Sequence, residues 1–215
     1  MFSDTGHGLY LVTDRLIAQR GAPTLLDAVE KALEGGVRFV QLREKDLPGN
    51  ELLRLARSLR ELTAAFGARL MVNDRVDVAI LSDADGVHLG QKSISPTDAR
   101  ILLGAEKLIG VSTHSYDEAL YAHGEGADFI TLGPVFHTPS KAAWGDPVGV
   151  GLLQRVAGAL SIPVYAIGGI TVEKLDSVLA SGAAGAAVIS AVLGKDDIKK
   201  CAELMLAALK ELKGR

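Results

Sequence analysis

The segment Phe39-Val40-Gln41-Leu42-Arg43-Glu44-Lys45 is a short apolar run that ends in two cations and a carboxylate. A strand that served only to hold the fold together has no need of charged side chains at its end. Seven further runs of this kind occur along the chain, and most of them also end in glycine, polar or charged residues. The eight runs are residues 9–12, 39–42, 70–72, 86–89, 108–111, 129–132, 164–167 and 187–189.

Helical patterns lie between these runs, so strand and helix alternate along the chain. They cover residues 24–34, 49–66, 75–82, 95–103, 116–124, 149–160, 172–181 and 196–213. Alternation is typical of a closed (β/α)8 barrel and of a doubly wound open sheet. Similar short sequences at 34–37, 125–128 and 181–184 indicate one repeated βα unit, which favours the closed TIM barrel. In that fold all strand ends meet at the C-terminal face, where active sites lie.

Size and composition narrow the class of protein. A barrel needs about 200 residues at minimum, so 215 residues with 48% hydrophobic content predict a single domain over residues 1–215. The net charge of -3 and the lack of a dense Lys/Arg cluster argue against nucleic acid or a membrane as partner. We therefore expect a small-molecule substrate. No apolar stretch approaches a membrane span and no targeting signal is present, which predicts a cytoplasmic protein and leaves a homo-oligomer open.

The ends of the second and third strands carry the first candidate site residues. Arg43 and Lys45 follow the second strand, and Asn73 and Asp74 follow the third. An isolated Arg-Glu-Lys sequence is most often a solvated cluster of ion pairs. On a neighbouring strand, however, the amide and the carboxylate can bind substrate heteroatoms or a divalent cation. The two strand ends together therefore indicate a binding site.

The last two strands end in sequences suited to a phosphate. Gly168-Gly169 and Ile189-Ser190 lie where barrels commonly bind phosphate through backbone N–H groups. A diglycine is also typical of a simple tight turn. Lys141 lies in a long segment after the sixth strand, residues 138–148, and is a candidate to contact the same or a second anion.

Two histidines lie on or after strands. His114 follows Ser112-Thr113 on the fifth strand and can exchange protons near neutral pH. A lone histidine often serves only in capping or packing, but the polar neighbours at a barrel rim favour a catalytic or substrate-contacting role. His88 lies within an apolar strand, so we expect it to point into the barrel and be hydrogen-bonded there.

Seven motifs, taken in order, resemble those of the thiamine-phosphate synthase and TenI superfamily. They are residues 41–45, 72–74, 85–91, 110–114, 133–136, 138–141 and 166–170, and the resemblance covers nearly the whole chain. It implies a barrel enzyme that handles a thiazole phosphate. Thiamine-phosphate synthases join hydroxymethylpyrimidine diphosphate to a thiazole phosphate, release pyrophosphate and use Mg2+. TenI-type enzymes are thiazole tautomerases, which move a proton and need no cofactor.

The resemblance also implies roles for individual residues. Asp74 matches one of two Mg2+ ligands of the synthases and is a metal ligand only in that case. His114 matches the proposed base of the tautomerases, and His114 and Lys141 are the predicted catalytic residues. The predicted substrate-binding residues are Gln41, Arg43, Lys45, Asn73, Ser112, Thr138, Ser140, Gly168, Gly169, Ile189 and Ser190.

Two departures from the synthase pattern decide between the activities. Ser93 stands where synthases have their second Mg2+ ligand, an aspartate. Synthases also typically carry an aspartate two residues after the lysine that Lys141 matches, and this chain has Ala143 there. Expelling a diphosphate requires metal and clustered cations, whereas tautomerisation requires only a positioned acid and base. The sequence therefore predicts a tautomerase, an isomerase, with the synthase, a transferase, as the alternative. A non-catalytic regulator that binds a phosphorylated ligand is a minor alternative.

Overall fold

The computed structural model describes residues 8–138 and 146–214. Eight parallel strands close into a barrel in chain order, with β1 paired to both β2 and β8. The strands are β1 (Leu9–Val12), β2 (Phe39–Leu42), β3 (Arg69–Asn73), β4 (Gly86–Leu89), β5 (Leu108–Thr113), β6 (Phe129–Leu132), β7 (Val164–Ile167) and β8 (Gly185–Val188). This topology confirms the predicted (β/α)8 TIM barrel and excludes the doubly wound sheet.

Helices connect the strands. They are α1 (Arg15–Ala18), α2 (Leu25–Glu34), α3 (Gly49–Ala65), α4 (Val76–Leu81), α5 (Pro96–Leu103), α6 (Tyr116–Gly124), α7 (Gly149–Ala159), α8 (Leu175–Ala180) and α9 (Ile198–Lys213), with a 3-10 turn at Val172–Lys174 before α8. Within residues 8–138 and 146–214, no helix is both long and apolar enough to cross a membrane.

Several element bounds differ from the sequence interpretation by a few residues, and two differences bear on the rim. The single-turn helix α1 is missed, because one turn is too short for a periodic pattern; its start is capped by Asp14, which accepts the N–H groups of Leu16 and Ile17 at 3.1 Å. Strand β8 begins and ends earlier than predicted, since Gly185 opens it with no apolar side chain. Ile189 therefore lies just beyond the strand, at the rim.

The barrel interior is filled rather than hollow. Tyr10, Phe39, Phe129 and Tyr165 pack there with other apolar residues, and the rings of Tyr10 and Phe39 stack with centroids 4.1 Å apart. Aromatic contacts of this kind add to the burial energy of the core. Because the interior is occupied, a ligand has to bind at the mouth formed by the strand ends.

On the face opposite the mouth, the same arrangement of an aspartate, a backbone N–H group and an arginine occurs twice. Asp85, just before β4, accepts the backbone N–H of Leu70 at 2.7 Å and is paired with Arg60. Asp128, just before β6, accepts the N–H of Ile109 at 2.7 Å and pairs with Arg100 at 2.7 Å. Each carboxylate thus ties a strand to its predecessor and to a helix, which gives this face a structural role.

Candidate active site

The end of β2 separates its three charged residues by role. Glu44 is only 6% exposed and accepts hydrogen bonds from the Thr13 hydroxyl at 2.7 Å and from the Arg15 backbone N–H at 3.2 Å. The same Thr13 hydroxyl accepts the backbone N–H of Arg43 at 2.9 Å. Glu44 is therefore turned toward β1 and holds the loop. Arg43 and Lys45 line a pocket of about 200 Å³ at this edge, where they are accessible to a ligand.

The ends of β3 and β4 bring Asp74 and Ser93 together. Asp74 is exposed and has a φ of 66°, and its backbone N–H donates to the His88 carbonyl at 2.9 Å. The Ser93 hydroxyl donates to the Asp74 carboxylate and accepts the N–H of Gly90 at 2.8 Å. Asn73, the last residue of β3, is half-buried next to them. Among the described residues, no group of three or more acidic, Cys or His side chains is arranged to hold a metal.

The ends of β7 and β8 present unused backbone N–H groups. The carbonyl groups of Gly168 and Gly169 point into the protein, where they accept Phe136 N–H at 3.1 Å and the Lys174 ammonium at 2.7 Å. No described residue accepts the N–H groups of Gly169 and Ile170 after β7, or those of Ser190 and Ala191 after β8. Such clustered N–H groups are suited to an anion.

His114 lies at the end of β5 and forms a pair with Glu118. Its Nδ1 is 3.2 Å from the Glu118 carboxylate, which also accepts the His114 backbone N–H at 2.7 Å. A carboxylate at Nδ1 favours the tautomer with the proton on that nitrogen. Nε2 is then left as a proton acceptor, which is the state that a general base requires.

Two predicted substrate-binding residues are anchored inside the barrel. Gln41 is only 3% exposed, and its Nε2 donates to the Tyr10 hydroxyl at 2.9 Å. Ser112 is half-buried, with its Oγ 3.0 Å from His88 Nε2. The expectation that His88 points inward and is hydrogen-bonded is confirmed.

Other predicted residues lie at the rim after β6 and β8, or outside the described chain. Thr138 is half-buried at the end of the first described segment, Ile189 is half-buried against the interior cluster, and Ser190 is exposed. Ser140 and Lys141 lie outside the described residues, so their roles stay predictions.

Sequence reasoning missed three contributors. Tyr10 lies in an apolar run, a position typical of a core residue, yet its hydroxyl is hydrogen-bonded to Gln41. Lys174 lies in a helical pattern, yet it reaches back to the Gly169 carbonyl and lies over the Phe136 ring at 4.7 Å. Its ammonium thus fixes the shape of the β7 loop. The third contributor is Glu118. Its position four residues after His114, one helical turn, is a signal that the sequence does contain, whereas Tyr10 and Lys174 have none.

Known proteins resemble this chain along nearly its whole length. The family model described as thiamine monophosphate synthase matches residues 9–192. A putative thiamine-phosphate synthase of Geobacter sulfurreducens is 54% identical over 201 residues, which cover 94% of this chain and 93% of the relative. The thiamine-phosphate synthase of Moorella thermoacetica is 44% identical over 91% of this chain and 92% of its own length.

A solved structure agrees with the sequence relatives. The thiamine phosphate pyrophosphorylase of Pyrococcus furiosus superposes with a TM-score of 0.88 at 36% identity, covering 97% of this chain and 98% of that one. None of the three relatives carries a tautomerase name. The chain belongs to the thiamine monophosphate synthase family and is an enzyme of thiamine biosynthesis.

Proposed function

We propose that this protein is a thiamine-phosphate synthase, which reverses the order of the two activities predicted from the sequence. The reaction joins hydroxymethylpyrimidine diphosphate to a thiazole phosphate. The diphosphate leaves with the electron pair of its bond to the pyrimidine methylene carbon, and the thiazole supplies the pair that forms the new bond. The names of the relatives support this activity over the tautomerase.

The observation that carries the proposal is the presence of two separate groups suited to anions on one mouth. Arg43, Lys45 and Asn73 lie at the ends of β2 and β3, and the N–H groups of Gly169 and Ser190 lie at the ends of β7 and β8. Only β1 separates β8 from β2 in the closed barrel. A tautomerase acts on one phosphorylated substrate, whereas a synthase has to hold a diphosphate and a phosphate together.

The residues at β2 and β3 suit the departing diphosphate. Arg43 offers a planar fork of donors and Lys45 a compact charge, and both stabilise negative charge that develops on a leaving group. Glu44 supports them indirectly, since its bonds to Thr13 and Arg15 fix the loop that carries both cations. In this assignment Asn73 donates its amide N–H groups to the same anion.

The donor set beside these cations fits a weakly held Mg2+. Mg2+ is usually bound by one or two carboxylates with substrate phosphates and water. Asp74 supplies one carboxylate, and Ser93 supplies a hydroxyl in contact with it. When bound there, the ion would neutralise charge on the leaving diphosphate.

We predict that the ligand-free protein binds Mg2+ too weakly for a micromolar dissociation constant, because one carboxylate alone faces the ion. Ser93→Asp should tighten binding by about tenfold or more, roughly 1.4 kcal/mol, by adding the missing carboxylate. Ser95→Asp is the control, since it adds the same charge two residues away at the start of α5, where Ser95 caps the helix. Calorimetric titration that finds micromolar affinity in the unmodified protein would contradict the prediction.

The function itself is tested by offering the purified protein two mixtures. One contains the pyrimidine diphosphate, the thiazole phosphate and Mg2+, and the other contains the exocyclic thiazole tautomer. We expect rapid, stoichiometric formation of thiamine phosphate and pyrophosphate in the first. Turnover of the second mixture alone would overturn the proposal and restore the tautomerase.

The tautomerase is retained as a second candidate on two specific observations. Ser93 rather than a second carboxylate meets Asp74, while His114 is already paired with Glu118 as a base would be. Such a pair is sufficient for proton transfer without a metal.

For that second activity, His114→Asn should lower turnover of the exocyclic tautomer by on the order of 10²-fold while thiazole phosphate affinity changes little. An amide fills the space and keeps a hydrogen bond to Glu118, but it cannot exchange a proton. His123→Asn is the matched control, because that half-buried histidine lies away from the mouth, where its Nε2 is 3.0 Å from Ser161 Oγ. Equal turnover in both variants would assign the proton transfer to another group.

A further inference from the structure

A hydrogen-bonded chain crosses the upper part of the barrel interior. Gln41 Nε2 donates to the Tyr10 hydroxyl at 2.9 Å, and that hydroxyl lies 3.3 Å from His88 Nδ1. On the other side of the imidazole, Nε2 lies 3.0 Å from Ser112 Oγ and 3.4 Å from Thr131 Oγ1. The chain thus links β2, β1, β4, β5 and β6 through side chains alone. Two of its end residues, Gln41 and Ser112, are predicted substrate-binding residues.

The imidazole in this chain carries one proton. Burial and, to a smaller extent, the charge of Arg43 lower the pKa of His88 to about 3, so the ring is neutral at physiological pH. A neutral imidazole donates from one nitrogen and accepts at the other. The direction of the bond between Tyr10 and Nδ1 therefore fixes the direction of the bond between Nε2 and Ser112. Because the Tyr10 hydroxyl already accepts from Gln41, its own hydrogen is left to be donated to His88.

The Arg43 cation favours one of the two directions. Arg43 directly follows β2, two residues after Gln41, and its charge also acts on His88, which places the cation on the same side of the sheet as the Gln41 amide. A cation above an amide attracts its carbonyl oxygen and repels its NH2 group. Among the described residues, every fully buried side-chain nitrogen or oxygen has a hydrogen-bond partner. Within this part of the chain Gln41 bonds through Nε2 and its Oε1 has no partner, so Oε1 is not fully buried. This oxygen therefore keeps contact with the mouth, while Nε2 points down to Tyr10.

We propose that Tyr10 and His88 are positioning residues that fix which side-chain groups at the mouth donate hydrogen bonds to the substrate and which accept them. In this arrangement Tyr10 donates to His88 Nδ1, and the proton on Nε2 is donated to Ser112 Oγ. Gln41 then presents a carbonyl acceptor to the substrate, and the hydroxyl hydrogen of Ser112 is free to be donated to it. The direction of the chain is independent of the substrate, and only its kinetic consequence rests on the proposed synthase activity.

The direction can be measured without any substrate. Long-range 1H–15N spectra of the ligand-free protein distinguish protonated from unprotonated imidazole nitrogens. His88 is assigned by its proximity to the rings of Tyr10 and Phe129, whose centroids lie 5.7 and 5.6 Å from its own. We expect Nε2 to be protonated and Nδ1 to be unprotonated at every pH above 5 at which the protein is folded. A protonated Nδ1 with an unprotonated Nε2 would overturn the proposal.

A substitution tests the consequence for activity. Tyr10→Phe keeps the ring but removes the donor to Nδ1, so we expect a mixture of His88 tautomers and a fall in kcat of about tenfold. The KM for the thiazole phosphate should stay unchanged, because none of the hydrogen-bonded side chains lies on β7 or β8, the strands that end at the proposed phosphate site. Tyr165→Phe is the control, since Tyr165 packs in the same interior cluster, while the His88 ring has its polar contacts with Tyr10, Ser112 and Thr131.

The double variant Tyr10→Phe/Ser112→Ala separates positioning from a general loss of stability. If Tyr10 acts through Ser112, its effect on kcat should largely disappear once the Ser112 hydroxyl is absent. Full additivity of the two effects, or an unchanged His88 tautomer in Tyr10→Phe, would contradict the proposal. If the protein proves not to be a synthase, the spectra still decide the direction of the chain.

Discussion

Replacing Asp74 with asparagine is expected to lower kcat for thiamine phosphate formation by on the order of 10²- to 10³-fold, the usual effect of removing a group that stabilises transition-state charge. Asparagine is chosen because it tolerates the φ of 66° at this position nearly as well as aspartate does. Its amide oxygen can still accept the Ser93 hydroxyl. The substitution therefore removes the charge, and with it the one carboxylate available to Mg2+, while the backbone is preserved.

The control for this experiment is Asp77→Asn, three residues further along in the first turn of α4. Asp77 pairs with Arg75, and both side chains are exposed, so its loss is expected to cost little in stability. Steady-state rates at saturating substrates and several Mg2+ concentrations provide the measurement. A kcat for Asp74→Asn within about threefold of that of Asp77→Asn would exclude Asp74 from the chemical step.

Replacing Gly169 with alanine should raise the KM for the thiazole phosphate by on the order of 10²-fold, with a smaller change in kcat. A Cβ at Gly169 would overlap the carbonyl oxygen of His137, so the loop after β7 has to move. That movement displaces the N–H groups of Gly169 and Ile170, which are the donors proposed for the phosphate. It also disturbs the bond from Lys174 to the Gly169 carbonyl.

Gly67→Ala is a closely matched control for Gly169→Ala. Its φ is 61°, compared with 64° at Gly169, so the backbone cost of alanine is similar, about 1 kcal/mol. A Cβ at Gly67 meets no atom within 4 Å, and this glycine follows α3 on the face opposite the mouth. Gly67→Ala should therefore lose stability and keep its KM. The same KM in both variants would mean that the β7 loop does not bind the phosphate.

The fold was predictable because its signal is repeated. Each strand is a short apolar run and each connection has a helical pattern, so an error at one element leaves the others in place. The same regularity identified the rim, since residues such as Arg43, Asp74 and Gly168 directly follow strands. The one-turn helix α1 has no such repetition and was missed.

The individual roles of rim residues were less predictable, because sequence shows that a charge is present but not where it points. Glu44 lies between two candidate ligand-binding cations, and only its bonds to Thr13 and Arg15 show that it serves the loop instead. Tyr10 lies in an apolar run and has an apolar ring, so the sequence does not show that its hydroxyl takes part in hydrogen bonds at the mouth. The choice between the two activities rested on two departures from the synthase pattern, Ser93 and the aspartate missing after Lys141, whereas the names of the relatives favour the synthase.

A crystal structure with thiamine phosphate, pyrophosphate and Mg2+ tests most directly whether the mouth has two separate anion-binding sites. We predict pyrophosphate beside Arg43 and Asn73, with Mg2+ between it and Asp74. The phosphate of the product should lie on the N–H groups of residues 169–170 and 190–191. Phosphate bound elsewhere with these N–H groups facing only solvent, or pyrophosphate away from the ends of β2 and β3, would contradict the proposed function.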